Sequence, residues 1–280
     1  MNKIAAPTLP PTSLVLLSIV STQLGSAMAK SLFNTLNPSA VVLLRVAFAA
    51  MVLMLLWKHQ IKEIFLQNWG VLIPFGLSLA LMNLTFYLAI ERIPIGIVVA
   101  LEFIGPLGLA IANSRRLIDL LWVIFVGIGI VLLAPIGGMS LDLIGIALAL
   151  TAGGFWAVYI LLSVKVGRAL PGGVGLALAM TVGAIFLFPI GVVAGGLTLF
   201  EPKLLLMGFG VAMLSSALPY SLELEALRWI PVQVFGILLS LEPVVAALVS
   251  FIVLGETLEL RAIVAIWLIA IAAAGSSRFK

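Results

Sequence analysis

The chain has 280 residues, of which 63% are hydrophobic and 9% charged, with 15 basic and 11 acidic side chains, no cysteine and one histidine. A soluble domain carries about 25% charged residues, so this balance cannot cover a water-facing surface, and the bilayer becomes the solvent. With no cysteine, and with His59 isolated in a charged loop, thiolate chemistry, disulfides, most zinc sites and histidine relays are excluded. No enzymatic activity, metal or cofactor is therefore expected, and the net charge of +4 lies between apolar spans, where it implies no nucleic-acid partner.

Spanning helices need about 20 apolar residues, and ten such stretches follow one another at roughly 14–33, 38–57, 70–90, 95–113, 117–135, 142–164, 173–195, 203–226, 231–253 and 260–277. The runs lack the period-two alternation of barrel strands, which predicts an all-α polytopic membrane protein of ten transmembrane helices with short loops. The first span is read as an uncleaved helix despite Ala27-Met28-Ala29, because the region before it is proline-rich with Lys3 as its only charge. With the N-terminus inside, the inner segments hold Lys3, Lys58, Lys62, Arg115, Arg116, Lys165, Arg168, Arg228, Arg278 and Lys280, against Lys30, Arg92, Lys203 and Arg261 outside. The positive-inside rule therefore places both termini in the cytoplasm.

Polar side chains inside an apolar helix are costly and mark candidate function. In the first span Gln23, Ser26 and Lys30 form one stripe, read as the wall of a water-filled cavity. Arg45, well inside the second span, is assigned to a structural ion pair with a buried glutamate. Asn83 and Tyr87 share a face of the third span. Glu102 lies one turn before Pro106 in the fourth, and a carboxylate there suits an ammonium group or a coupling proton. Trp156 and Tyr159 share a face of the sixth, where cavity lining and ordinary packing both stay open. Tyr220 and Glu223 are three apart in the eighth, and Ser240 and Glu242 precede Pro243 in the ninth.

Ala89-Ile-Glu-Arg-Ile-Pro94 returns as Ala226-Leu-Arg-Trp-Ile-Pro231, offset by 137 residues, and a second proline follows each copy twelve residues on, at Pro106 and Pro243. A duplicated five-helix unit explains this, with halves 1–136 and 137–280. Five is odd, so the second copy enters from the opposite side, giving an inverted repeat whose substrate site lies near the midplane. Pro106 and Pro243 are then the hinge positions of broken helices.

With the repeated Ile-Pro turn and Leu-Gly-Glu-Thr-Leu at 254–258, the chain resembles the EamA-type drug/metabolite transporter superfamily. The segments 24–33, 100–107, 114–116, 217–223 and 240–243 are similar to its threonine/homoserine exporter branch, and related aromatic-amino-acid exporters share the architecture. The first half departs from the family pattern in carrying Asn113-Ser-Arg-Arg116 where members often have Gly-Glu. The resemblance implies alternating-access export of amino acids across the bacterial inner membrane, through a cavity lined by spans 1, 3, 4, 6, 8 and 9, without need of an oligomer. Proton antiport and facilitated diffusion stay open, as does efflux of other metabolites or drugs such as purines and cationic compounds.

Overall fold

The computed structural model describes residues 9–33, 35–58, 61–93, 95–114, 116–133, 142–245 and 260–278. The expected span ends at 134–135 and 246–253 lie outside these residues, as do Arg115 and the Leu-Gly-Glu-Thr-Leu segment. The elements are α1 (Pro11–Leu32), α2 (Pro38–Leu56), α3 (Ile61–Ile90), α4 (Ile95–Glu102), α5 (Ile104–Ala112), α6 (Leu117–Leu133), α7 (Leu143–Ala169) and α8 (Val174–Gly195). Then come α9 (Pro202–Ala212), a π-helical turn (Met213–Ala217), α10 (Leu218–Ala226), α11 (Val232–Leu239) and α12 (Leu260–Arg278). No strand occurs among the described residues.

Local chemistry explains the helix ends. Proline opens α1, α2 and α9, where its missing N–H costs nothing. Asn37 and Asp142 accept the free N–H groups of Ser39 and Ile144 at 2.9 and 2.8 Å. Five apolar segments among the described residues are long enough to cross a bilayer: Pro38–Leu56, Glu63–Ile90, Leu143–Ala169, Val174–Phe200 and Pro202–Ala226. Leu55, Ile185, Val193 and Leu197 lie bare on the outside, which water would penalise and lipid accommodates. The molecule is an all-α membrane protein.

The fourth expected span is not one continuous helix. It breaks at Phe103, between α4 and α5, because Pro106 has no N–H for the carbonyl of Glu102 one turn earlier. The helix of α11 is likewise interrupted at Ser240, three residues before Pro243. Both interruptions, and the bounds of α4 and α11, differ by the same 137-residue offset that separates Asn83 from Tyr220.

Helix α2 packs on α8, α3 on α7, α6 on α12, and α1 on α9 and α10. Small residues permit close approach, as expected where lipid provides no hydrophobic drive between helices. A Cβ added at Gly153 of α7 would lie 2.5 Å from the Glu102 carbonyl oxygen, and one at Gly105 would strike the carbonyl of Gly153. The broken segment is therefore seated backbone to backbone on α7.

At one end of the bundle Arg228 Nη2 donates to the carbonyls of Leu170 and Gly172, at 3.1 and 2.5 Å, and pairs with Glu225 at 3.1 Å. The Trp57 ring covers the same turn, where Gly172 adopts φ 53. Gly172→Ala is expected to lower the thermal unfolding midpoint, through about 1–2 kcal/mol of left-handed strain and the displaced indole. Gly196, at φ 54 and ψ −147, faces open space but sits in backbone that only glycine adopts readily. An unchanged midpoint for Gly172→Ala in a thermal-shift assay would refute the crowding of this turn by Trp57. At the opposite end, Arg92 and Asp142 form an exposed ion pair of 2.9 Å, and Asn37 Nδ2 donates to Glu91 at 3.4 Å. The Arg92 hydrogen bond holds the Asp142 carboxyl below its ordinary range.

Candidate substrate site

Pro219 generates the site. Having no N–H, it leaves the carbonyls of Leu214 and Ser215, five and four residues earlier, without their helical donor, and the backbone relaxes into the π turn there. Two neighbouring helices supply the missing donors. Ser21 Oγ of α1 donates to the Leu214 carbonyl at 2.6 Å, and Arg45 Nη2 of α2 donates to that of Ser215 at 2.6 Å. Gly25 lets α1 come close enough, since a Cβ there would lie 2.7 Å from Ser215.

Arg45 is 8% exposed, and its Nε also donates to Ser216 Oγ at 2.7 Å. Its Nη1 reaches the Tyr87 hydroxyl at 3.2 Å and its Nη2 the Tyr220 hydroxyl at 3.4 Å. Asn83 Nδ2 donates to the same Tyr220 oxygen at 3.2 Å and to the Leu79 carbonyl at 2.9 Å. Below them Tyr159 donates to Glu223 Oε2 at 3.2 Å, stacks on Phe75 with centroids 5.6 Å apart, and lies 5.4 Å from the Tyr220 ring. Glu102 and Glu242 lie within electrostatic reach of Arg45 and of one another. One guanidinium thus shares a centre with three carboxyl groups, Glu223 buried and Glu102 and Glu242 half-buried on the broken helices.

The hydrogen-bond partners of Arg45 among the described residues are not carboxylates. Arg45 is held by a carbonyl and three hydroxyls, while Glu102 and Glu242 act on it through space. The freed Ser215 carbonyl and the Ser216 hydroxyl satisfy the guanidinium before any glutamate reaches it.

Of the other expected residues, Asn83, Tyr87, Glu102, Tyr159, Tyr220, Glu223 and Glu242 converge on this centre. Trp156 packs edge-on against Phe103 at 5.0 Å, beside the α4–α5 break. Ser240 is fully buried and its Oγ donates to the Ile237 carbonyl of its own turn. Gln23 is half-buried and Ser26 exposed, while the Lys30 side chain lies outside the described residues. Pro106 is buried and Pro243 half-buried. Ser21, Ser215 and Ser216 escape a reading that looks for ionisable groups, and the signal that finds them is Pro219.

None of the charged members is duplicated at the offset. Arg45, Glu102, Glu223 and Glu242 correspond to Val182, Leu239, Phe86 and Gly105 when positions 137 residues apart are compared. The charged groups of the centre therefore do not follow the offset that the two helix breaks follow. A groove of about 290 Å³ between α3 and α8, lined by Phe65, Leu66, Leu178 and Ile185 among others, is apolar and separate from it.

The profile of the EamA-like transporter family matches residues 143–278. The threonine/homoserine exporter RhtA of Salmonella typhimurium is 42% identical over 269 residues, covering 95% of this chain and 91% of that protein. RhtA of Escherichia coli K12 is 39% identical over the same share of each chain. A solved crystal structure aligns over 96% of both chains with a TM-score of 0.81 and 16% identity, a likeness of fold alone. On identity that runs nearly the whole length of the chain, it belongs to the EamA-like transporters of the drug/metabolite superfamily, as an RhtA-like member.

Proposed function

We propose that the chain is a secondary exporter of amino acids of the threonine/homoserine class in the bacterial inner membrane, with both termini cytoplasmic. The observation that carries this reading is the 39–42% identity with threonine/homoserine exporters over 95% of the chain. The buried polar centre supports it. A zwitterion needs an anion for its ammonium and donors for its carboxylate, and Glu102 beside a cluster of hydroxyl and amide groups has that character. Residues 1–136 and 137–280 act as two five-helix units of opposite orientation, together supplying ten spans. The matching breaks at Phe103 and Ser240 and the Asn83–Tyr220 bond, between residues 137 apart, support this symmetry. Alternating access follows when the two units exchange conformations about the broken helices, driven by the substrate gradient or by exchange with protons.

The test is counterflow in proteoliposomes preloaded with unlabelled threonine, with phenylalanine, methionine, lysine, a purine and a cationic dye as competitors. Saturable uptake of labelled threonine, competed by amino acids, is the expected result. Transport of the purine or dye with no threonine uptake would overturn the substrate assignment and leave the family intact.

A further inference from the structure

We propose that Arg45 is the group that holds the carboxylate of the substrate, so that the site selects amino acids with a free carboxylate over their esters and alcohols. This rests on the reading of the chain as an amino-acid exporter and names the specificity residue within that site.

The guanidinium has two unlike edges. On one, Nε and Nη2 make short bonds of 2.7 and 2.6 Å to Ser216 Oγ and the Ser215 carbonyl, partners fixed by the π turn that Pro219 enforces. These set the plane and direction of the fork. On the other, the outer Nη1/Nη2 edge makes longer contacts of 3.2 and 3.4 Å to the hydroxyls of Tyr87 and Tyr220. A carboxylate binds that edge with two parallel charge-assisted bonds, shorter and stronger than contacts to neutral phenols.

Hydrogen-bond accounting points the same way. The Tyr220 oxygen accepts from both Arg45 and Asn83, and the Tyr87 oxygen accepts from Arg45. Neither phenol donates its own proton to an acceptor among the described residues, and one Nη1 proton of Arg45 is also left over. Two phenol protons at the outer edge of the buried cation and a spare Nη1 proton beside it are thus unused, a donor set that suits an anion with two oxygens once it takes that edge from the phenols. Glu102 and Glu242 are within electrostatic reach of Arg45 but not in contact with it, so a zwitterion can lie with its carboxylate on the fork and its ammonium toward a carboxyl. Arginine at membrane depth is costly, and the four bonds that hold it here fix its orientation without neutralising it.

The experiment uses the full chain in proteoliposomes and follows counterflow of labelled threonine against threonine, threonine methyl ester and threoninol as competitors. In the wild type, both analogues should compete at least about tenfold more weakly than threonine, since a site built for a charged group rejects the analogue that lacks it. In Arg45→Gln that preference should collapse toward unity, with threonine losing affinity and the ester little changed. Arg45→Lys keeps the charge but not the fork; it should fall between, and it carries the comparison if Arg45→Gln fails to insert. A merely structural arginine would lower the amount of active protein without altering the ratio. The proposal is overturned if ester and threonine compete equally in the wild type, or if inserted Arg45 variants keep the full preference. Absence of threonine counterflow in the wild type would instead overturn the exporter reading itself.

Discussion

Gly153→Val is expected to destroy the fold. The added atoms would enter the space of the Glu102 carbonyl, 2.5 Å from the first of them. Overpacking a core usually costs about 1–3 kcal/mol because side chains shift to make room. Here the obstacle is backbone, on a helix already interrupted at Phe103, so the cost should exceed that range and leave little monodisperse protein after extraction. Gly154→Val supplies the control, since nothing lies within 4 Å of a Cβ at that position. A Gly153 variant with the unfolding midpoint of its Gly154 counterpart would refute the backbone crossing.

Glu102→Gln should have the opposite profile, with folded protein retained and transport lost. Glutamine fills the same volume, so the packing of α4 against α7 is preserved. What disappears is the carboxyl that a substrate ammonium would ionise and pair with, and a hydrogen bond to a charged group contributes about 1.5–3 kcal/mol. At 1.4 kcal/mol per factor of ten, threonine flux should fall by about tenfold to a hundredfold. The unfolding temperature should stay close to that of the wild type. Wild-type flux from correctly inserted Glu102→Gln protein would remove Glu102 from the substrate site.

The helical membrane character was legible because composition alone leaves no alternative solvent. The polar centre was legible in part, and for one reason: Asn83, Glu102, Tyr220, Glu223 and Glu242 are conspicuous in apolar helices. The partners of Arg45 were not, since an arginine among glutamates reads as an ion pair unless a competing acceptor is known. That acceptor is a backbone carbonyl released by Pro219, and backbone groups are silent in a residue-type scan. The break in the fourth span was similarly half visible. Pro106 announces an interruption, but the chain gives way earlier, at Phe103, next to the Glu102 carbonyl that Pro106 leaves unpaired. Trp156 and Tyr159 show the limit of periodicity: they share a helix face, yet the first packs on Phe103 and the second bonds Glu223.

The lack of any charged counterpart across the 137-residue offset has a stereochemical consequence. A centre obeying two-fold symmetry would present the same groups to a ligand turned end for end, and could not hold it in one sense only. A guanidinium, a carboxyl and a pair of phenols are three unlike points of attachment. Three unlike points give the zwitterion proposed to bind here a single orientation, where a two-fold set would leave two equivalent ones.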